Sequence, residues 1–288
     1  MTARIGFIGL GAMGAPMAGR LVAAGHDVVV FDLSQDAVAK LVAQGAEAAD
    51  SAADVARICG HIGVCVPNDV NVVEVVSGDD GILLGACEDT SIAIHSTVHP
   101  DTVRDLCALA DESEAILFDA GVAGGSQAAE SGTLAITVGL PAGGIPVAAR
   151  VALEACGTII EAGTVGTGMA LKVGLNVMTY LQQAAASASY QVAMQEGVDC
   201  HKLIEAWRHL GMLGSLTEQF FPLLTMDPAS KVEGDFGQML QRMIALAEKD
   251  LNVASHIGLE SGRPMPVVDA TRDAMQLIYG IVPEPSAS

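Results

Sequence analysis

Short apolar runs alternate with amphipathic stretches through the first half of the chain. Residues 4–10 (RIGFIGL) and 27–31 (DVVVF) predict buried strands, the second closed by Asp32. Strand-like runs recur at 61–66, 91–95, 115–119, 133–138 and 157–161, with a short one near 46–48. Helical patterns lie between them, over residues 12–24, 35–43, 51–58, 69–76, 100–111 and 146–156. Apolar strands separated by amphipathic helices imply an α/β fold: a mostly parallel sheet of the Rossmann type, covered on both faces.

The pattern changes after Gly168. No proline occurs from Met169 to Glu196, and Leu171, Leu175, Met178, Leu181 and Ala185 recur at helical spacing. They predict one helix of roughly 28 residues, about 42 Å long at 1.5 Å per residue. Helices follow over 200–210, 215–225 (interrupted at Pro222), 236–261 and 265–280. The expected organisation is therefore two domains, 1–162 and 163–288, the second all-helical, with a long interdomain helix. Gly163, Gly166 and Gly168 mark the boundary.

Composition narrows the classes of function. The 288 residues are 51% hydrophobic, enough for a sizeable core. Acidic residues number 34 against 14 basic, a net charge of −20, which would be repelled by a phosphate backbone or an anionic membrane. No nucleic-acid or membrane partner is expected. Six cysteines are scattered without CxxC spacing, which suits reduced thiols and a cytoplasmic location. Neither an HExxH nor a GxSxG motif occurs, and the histidines and cysteines show no metal-ligand spacing, so no metal is expected.

Gly9-Leu10-Gly11-Ala12-Met13-Gly14 is a GxGxxG run that leaves a predicted strand and opens a predicted helix. In that context Gly9 permits the tight turn, Gly11 leaves room for a pyrophosphate, and Gly14 lets helix and strand pack closely. The helix N-terminus supplies free N–H groups and partial positive charge. Asp32 ends the second strand eighteen residues after Gly14, placed to accept hydrogen bonds from both ribose hydroxyls of NAD and to repel the 2′-phosphate of NADP. NAD is the expected cofactor.

The run Ile5-Gly6-Phe7-Ile8-Gly9-Leu10-Gly11-Ala12-Met13-Gly14-Ala15-Pro16-Met17-Ala18 resembles the N-terminal signature of the beta-hydroxyacid dehydrogenase family. Four further blocks follow in that family's order: Cys65-Val66-Pro67, Asp119 to Gly125 (DAGVAGG), Gly163 to Asn176 (GTVGTGMALKVGLN) and Lys249-Asp250-Leu251. The resemblance covers roughly residues 4 to 280 and implies a Rossmann domain followed by a helical substrate-binding and oligomerisation domain, assembled as a homodimer or homotetramer. It implies cofactor contacts from Gly9, Leu10, Gly11, Ala12, Met13, Gly14, Asp32, Val66, Pro67, Thr97 and Lys249. Asp250 is implied as an orienting partner of Lys249.

Lys172 and Asn176 are i and i+4 and share a helix face. The resemblance implies that Lys172 is the general acid/base and that Asn176 orients substrate. Such a lysine takes the hydroxyl proton of a carbinol as its hydride leaves, or stabilises the alkoxide. Implied substrate contacts are Ser96, Val122, Ala123, Gly124, Gly125, Lys172 and Asn176. The expected reaction is NAD-dependent oxidation of a small 3-hydroxy acid to the semialdehyde or keto acid, and the reverse.

One block departs from the family pattern. Gly121 stands where proline is usual, and Ala123 where serine is usual. The serine hydroxyl is implied in holding the substrate carboxylate, and losing one charge-assisted bond costs about 1.5–3 kcal/mol if nothing replaces it. Either the backbone N–H groups of Gly124 and Gly125 suffice, or the pocket accepts a different or less polar compound. Two alternatives stay open: a reductase of a less polar ketone or imine, which Lys172 argues against, and a dinucleotide-binding protein without catalysis.

Overall fold

The computed structural model describes residues 4–88, 90–212 and 214–281, and they form two compact units, 1–172 and 173–288. In the first, strands and helices alternate: β1 (Ile5–Ile8), α1 (Gly14–Ala23), β2 (Val28–Phe31), α2 (Gln35–Val42), β3 (Glu47–Ala48), α3 (Ala52–Ile58), β4 (His61–Val64), α4 (Asp69–Ser77), α5 (Ile82–Gly85), β5 (Ser91–Ile94), α6 (Pro100–Glu112), β6 (Ile116–Ala123), α7 (Gly125–Ser131), β7 (Leu134–Leu140), α8 (Val147–Cys156) and β8 (Gly157–Thr164). The strands form one sheet in the order β3-β2-β1-β4-β5-β6-β7-β8. All neighbours are parallel except β6 and β7. The order reverses at β1, between β2 and β4, and ligands of such sheets bind outside the strands' C-terminal ends at that reversal.

Period-two alternation divides the core between the two faces of the sheet. Phe7, Val28, Val30, Phe118 and Ile136 pack on one side with Met17 and Leu21 of α1 and Leu153 of α8. Ile8, Val29, Ile62, Val64 and Ile92 pack on the other with α3, α4 and α6. Both faces are apolar because both are covered, as the unbroken strand patterns require.

β6 is longer than its predicted 115–119. Ile116–Asp119 pairs in parallel with β5, and Ala120–Ala123 continues in antiparallel register with β7. The run Gly121-Val122-Ala123 has little strand propensity of its own, so its pairing comes from β7 and not from local preference.

The second unit is all-helical. α9 (Thr167–Gln195) spans the predicted long helix, and the division between units falls inside it, ten residues beyond the expected 162/163. The reason is packing: Met169, in the first turn of α9, is buried in the sheet's core. Beyond it lie α10 (Cys200–His209), α11 (Ser215–Glu218), α12 (Phe221–Thr225), a 3₁₀ turn (Pro228–Lys231), α13 (Gly234–Glu260), α14 (Pro266–Asp273) and α15 (Met275–Ile278). α13 buries Leu240, Ile244, Ala247, Leu251 and Ala254, a stripe at helical period. Among the described residues, no helix is long and apolar enough to cross a membrane.

Two histidines lie inside the first unit's core. His61 on β4 shares a hydrogen bond between Nδ1 and Ser91 Oγ at 3.0 Å. His95, after β5, donates from Nδ1 to the Ala120 carbonyl at 2.8 Å and stacks on Phe7 with centroids 5.8 Å apart. Both line a cavity of about 10 Å³ with Phe7, Met17 and Cys156. Burial lowers the His61 pKa to about 3, assisted by the nearby His95, and burial lowers that of His95 to about 4. Unfolded imidazoles take up protons below about 6.5, whereas these two do not until far lower. Their contribution to stability is therefore complete above that value and falls as the pH drops toward 4. Melting temperatures measured from pH 7.5 to 5 are expected to decline, and less steeply in His61→Gln or His95→Gln than in the unmodified protein. Parallel curves would contradict the assignment.

Candidate active site

Each glycine of the GxGxxG loop has its own steric reason. Gly9 has φ +91°, and a Cβ there would lie 2.3 Å from the Cys65 carbonyl oxygen. A Cβ on Gly14 would meet the Gly9 carbonyl oxygen, so α1 rests directly on the turn that leaves β1. A Cβ on Gly11 would meet nothing within 4 Å. The chain itself does not require glycine at 11, which fits a position kept bare for a ligand.

The N-terminus of α1 points the same way. α2, α3, α4 and α6 are each capped by a side chain, from Ser34, Ser51, Asn68 and His99 respectively. At α1 the N-cap is Met13, which supplies no side-chain acceptor. Ala15 N–H bonds the Gly11 carbonyl at 3.1 Å and Pro16 has no N–H, so a bound anion would meet the amides that precede them and the positive end of the helix dipole. Asp32 spans the end of β2: Oδ2 accepts the Leu10 N–H at 2.5 Å and Oδ1 the Ser34 N–H at 2.7 Å. These bonds fix the carboxylate beside the loop while each oxygen keeps capacity for another donor. The loop, Asp32 and the reversal in strand order fit a dinucleotide: the bare Gly11 and the N-terminal end of α1 would hold its pyrophosphate, and Asp32 its adenine ribose.

Val66 and Pro67 follow β4, which pairs with β1, and Ser96 and Thr97 follow β5, the next strand out. Ser96 is buried, and its Oγ accepts the Val66 N–H at 2.8 Å, so the hydroxyl braces one strand end against the next. Val122 is buried, Ala123 and Gly124 are half-buried, and Gly125, which opens α7, is exposed. Gly124 and Gly125 take φ +130° and +80°, where a side chain would be strained. Ser126 and Gln127 are exposed on α7.

Lys172 projects from the second turn of α9 and is only 9% exposed. Its position follows from Asp119, which is fully buried at the point where β6 changes partner. Oδ1 of Asp119 accepts the Gly166 N–H at 2.7 Å and Oδ2 the Met169 N–H at 2.5 Å. The carboxylate thus satisfies amides that the first turn of a helix leaves open. Burial raises the Asp119 pKa, and the two amide bonds work against that rise. The sequence marked Asp119 only as the first residue of the DAGVAGG block, with no role of its own.

In the second unit, Asp250 of α13 gathers three partners. Asn176 Nδ2 donates to its Oδ2 at 2.7 Å, and the Tyr180 hydroxyl donates to the same oxygen at 3.3 Å. Lys249 Nζ pairs with Oδ1 at 3.0 Å. The Asp250 side chain is 3% exposed and that of Lys249 24%. Burial first, then the charge of Asp250, pushes the Tyr180 phenol well above its ordinary range. Tyr180 carries no expected role in the sequence, yet Lys172, Asn176 and Tyr180 repeat every four residues, a stripe that could have revealed it.

Comparison with known proteins agrees with the fold and with a nicotinamide dinucleotide as cofactor. Residues 4–166 match the family model described as the NAD binding domain of 6-phosphogluconate dehydrogenase. The chain is 32% identical over 266 residues to a probable mitochondrial 3-hydroxyisobutyrate dehydrogenase of Dictyostelium discoideum, covering 91% of this chain and 81% of that protein. It is 34% identical over 269 residues to the NAD-dependent L-serine dehydrogenase of Pseudomonas aeruginosa, covering 92% and 88%. The solved structure of Mycobacterium tuberculosis 3-hydroxyisobutyrate dehydrogenase with L-serine superposes with a TM-score of 0.82 at 26% identity, covering 98% of each chain.

The glycine geometry separates ligand binding from folding. Gly11→Val is expected to leave the melting temperature within about 2 °C while weakening NAD binding about tenfold or more, read by calorimetric titration. Gly14→Ala should lower the melting temperature, because its Cβ collides with the Gly9 carbonyl. Equal NAD affinity in Gly11→Val and the unmodified chain would remove the pyrophosphate from this loop.

Proposed function

The chain belongs to the beta-hydroxyacid dehydrogenase family, and on that premise we propose that it oxidises a small 3-hydroxy acid with NAD, with Lys172 as general acid/base. As an oxidoreductase of this family it uses NAD(P); the choice of NAD over NADP rests on Asp32, whose fixed carboxylate would repel a 2′-phosphate. The observation that carries the proposal is Lys172 itself: a lysine side chain buried to nine-tenths, on a helix whose first turn is held by a buried carboxylate.

Bound NAD supplies the hydride acceptor for the carbinol carbon. Lys172 takes the hydroxyl proton in oxidation and returns it in reduction. Asn176 orients the substrate, and its amide orientation is fixed because Nδ2 is committed to Asp250. Lys249 is proposed to contact the cofactor and Ser96 the substrate. Lacking a serine at 123, the chain is proposed to hold the substrate carboxylate through the backbone N–H groups of Gly124 and Gly125. L-serine and 3-hydroxyisobutyrate, named for the relatives above, are the first compounds to try. All six cysteines are free thiols, which supports a reducing, cytoplasmic setting. Assembly as a homodimer or homotetramer belongs to the same proposal, and light scattering reads it.

The test is NADH formation on a panel of 3-hydroxy acids that includes 3-hydroxyisobutyrate, 3-hydroxypropionate, glycerate and L-serine, each with NAD and NADP. Turnover on at least one acid is expected, with NAD preferred. Lys172→Ala should lower kcat by about 10²-fold or more. Cofactor binding with no turnover on any acid, or an undiminished Lys172→Ala enzyme, would overturn the proposal.

A further inference from the structure

The lysine assigned above sits where helix and sheet meet without side chains between them. A Cβ on Gly168, in the first turn of α9, would fall 2.4 Å from the Gly139 nitrogen and 2.5 Å from the Thr137 carbonyl oxygen of β7. A Cβ on Gly139 would lie 2.8 Å from the Thr164 carbonyl oxygen and would also run into Oδ1 of Asp119. A Cβ on Gly121 would lie 2.7 Å from Cβ and 3.0 Å from Cγ of Lys172, and 3.0 Å from Thr137 Oγ1. The start of α9 therefore rests on bare strand backbone at two points, Gly168 on β7 and Lys172 on Gly121, while Gly139 leaves room for Asp119, which ties the turn's amides down from beneath. Thr137 Oγ1 donates to the Gly121 carbonyl at 3.1 Å, fixing the strand pair on which the lysine stem lies.

The contact at Gly121 differs in kind from an ordinary tight glycine. The atom in the way is Lys172 Cβ, which rotation of the side chain cannot move, because it is fixed by the helix backbone. Any side chain at 121 must push the first turns of α9 away from β6 or tilt them. The φ of Gly121 lies outside the left-handed region, so backbone conformation does not by itself demand glycine there.

We propose that Gly121 and Asp119 are positioning residues for Lys172: Gly121 by leaving the space its stem occupies, Asp119 by holding the turn from which it projects. The inference rests on the reading of Lys172 as acid/base, and it reassigns Asp119 from a substrate block to support of the helix.

The chain has five lysines, at 40, 172, 202, 231 and 249, so the ¹³C spectrum of reductively methylated protein holds few side-chain signals. Lys172→Arg identifies the one of interest. In Gly121→Ala and Asp119→Asn, we expect the Lys172 signal to move and its titration midpoint to shift by about 0.5 pH unit or more. The signals of the other four lysines should stay in place, and NAD affinity should remain within about twofold. On whichever of L-serine and 3-hydroxyisobutyrate turns over, kcat should fall about tenfold or more with KM nearly constant, because a displaced base impairs the chemical step. An unmoved Lys172 signal in a folded variant overturns the proposal, and so does failure of both variants to fold, which would make the two residues structural only. The lysine spectrum needs no substrate. An active Lys172→Ala enzyme would therefore sink the catalytic reading while leaving the positioning claim to be judged on its own signal.

Discussion

A carboxylate shut away from solvent needs hydrogen bonds at its own oxygens, and Asp119 finds them in the amides of Gly166 and Met169. Each bond to a charged group is worth about 1.5–3 kcal/mol, and removing the partners of a buried charge costs more than that. The exchange is mutual. The first turn of α9 has amides that no helical carbonyl can reach, and the strand end has a charge that water cannot reach. Satisfying both with the same two bonds fixes where α9 begins, and three residues after Met169 the chain reaches Lys172. Were the turn to slip, the lysine would move with it, and the buried charge would lose its compensation.

The same economy of backbone contact recurs at the other end of the reaction. Gly14 lets α1 lie on the turn after β1, and Gly9 lets that turn lie on the carbonyl after β4. Of the three loop glycines, Gly11 is the one whose Cβ position faces open space. Asp32 ties the loop to β2 through the Leu10 amide, much as Asp119 ties α9 to β6. Both acids end or nearly end a parallel pairing, and both hold a glycine-rich connection in place. A parallel sheet lines up its strand ends on one edge, so cofactor loop, Val122–Gly125 segment and lysine share that edge without long excursions of the chain.

How much of this could be read from the sequence depends on how local the cause is. The parallel half was legible because its strands are buried on both faces and therefore unbroken in their apolar character. The GxGxxG loop and Asp32 were legible because their spacing encodes the turn itself. The antiparallel continuation of β6 was not, since Ala120–Ala123 is a strand only by virtue of β7. The part played by Asp119 was hidden for a similar reason: its partners lie 47 and 50 residues away. Ser96 also accepts the Val66 N–H, a contact between strand ends that no linear pattern carries. In the second unit, the pairing of Asp250 with Lys249 was expected from the resemblance, but the reach of the same carboxylate to Asn176 and Tyr180 depends on the packing of α13 against α9.

The central claim is transfer of a hydride, with the proton going separately to a lysine. It is tested most directly by following the hydrogen on the carbinol carbon. With 3-hydroxyisobutyrate deuterated at the hydroxymethyl carbon, or serine deuterated at the β-carbon, mass spectrometry of the nucleotide should find one deuterium in each reduced cofactor formed and none released to solvent. Deuterium appearing in water, or reduced cofactor formed without label, would mean that the carbon–hydrogen bond breaks by another route, and would contradict the account.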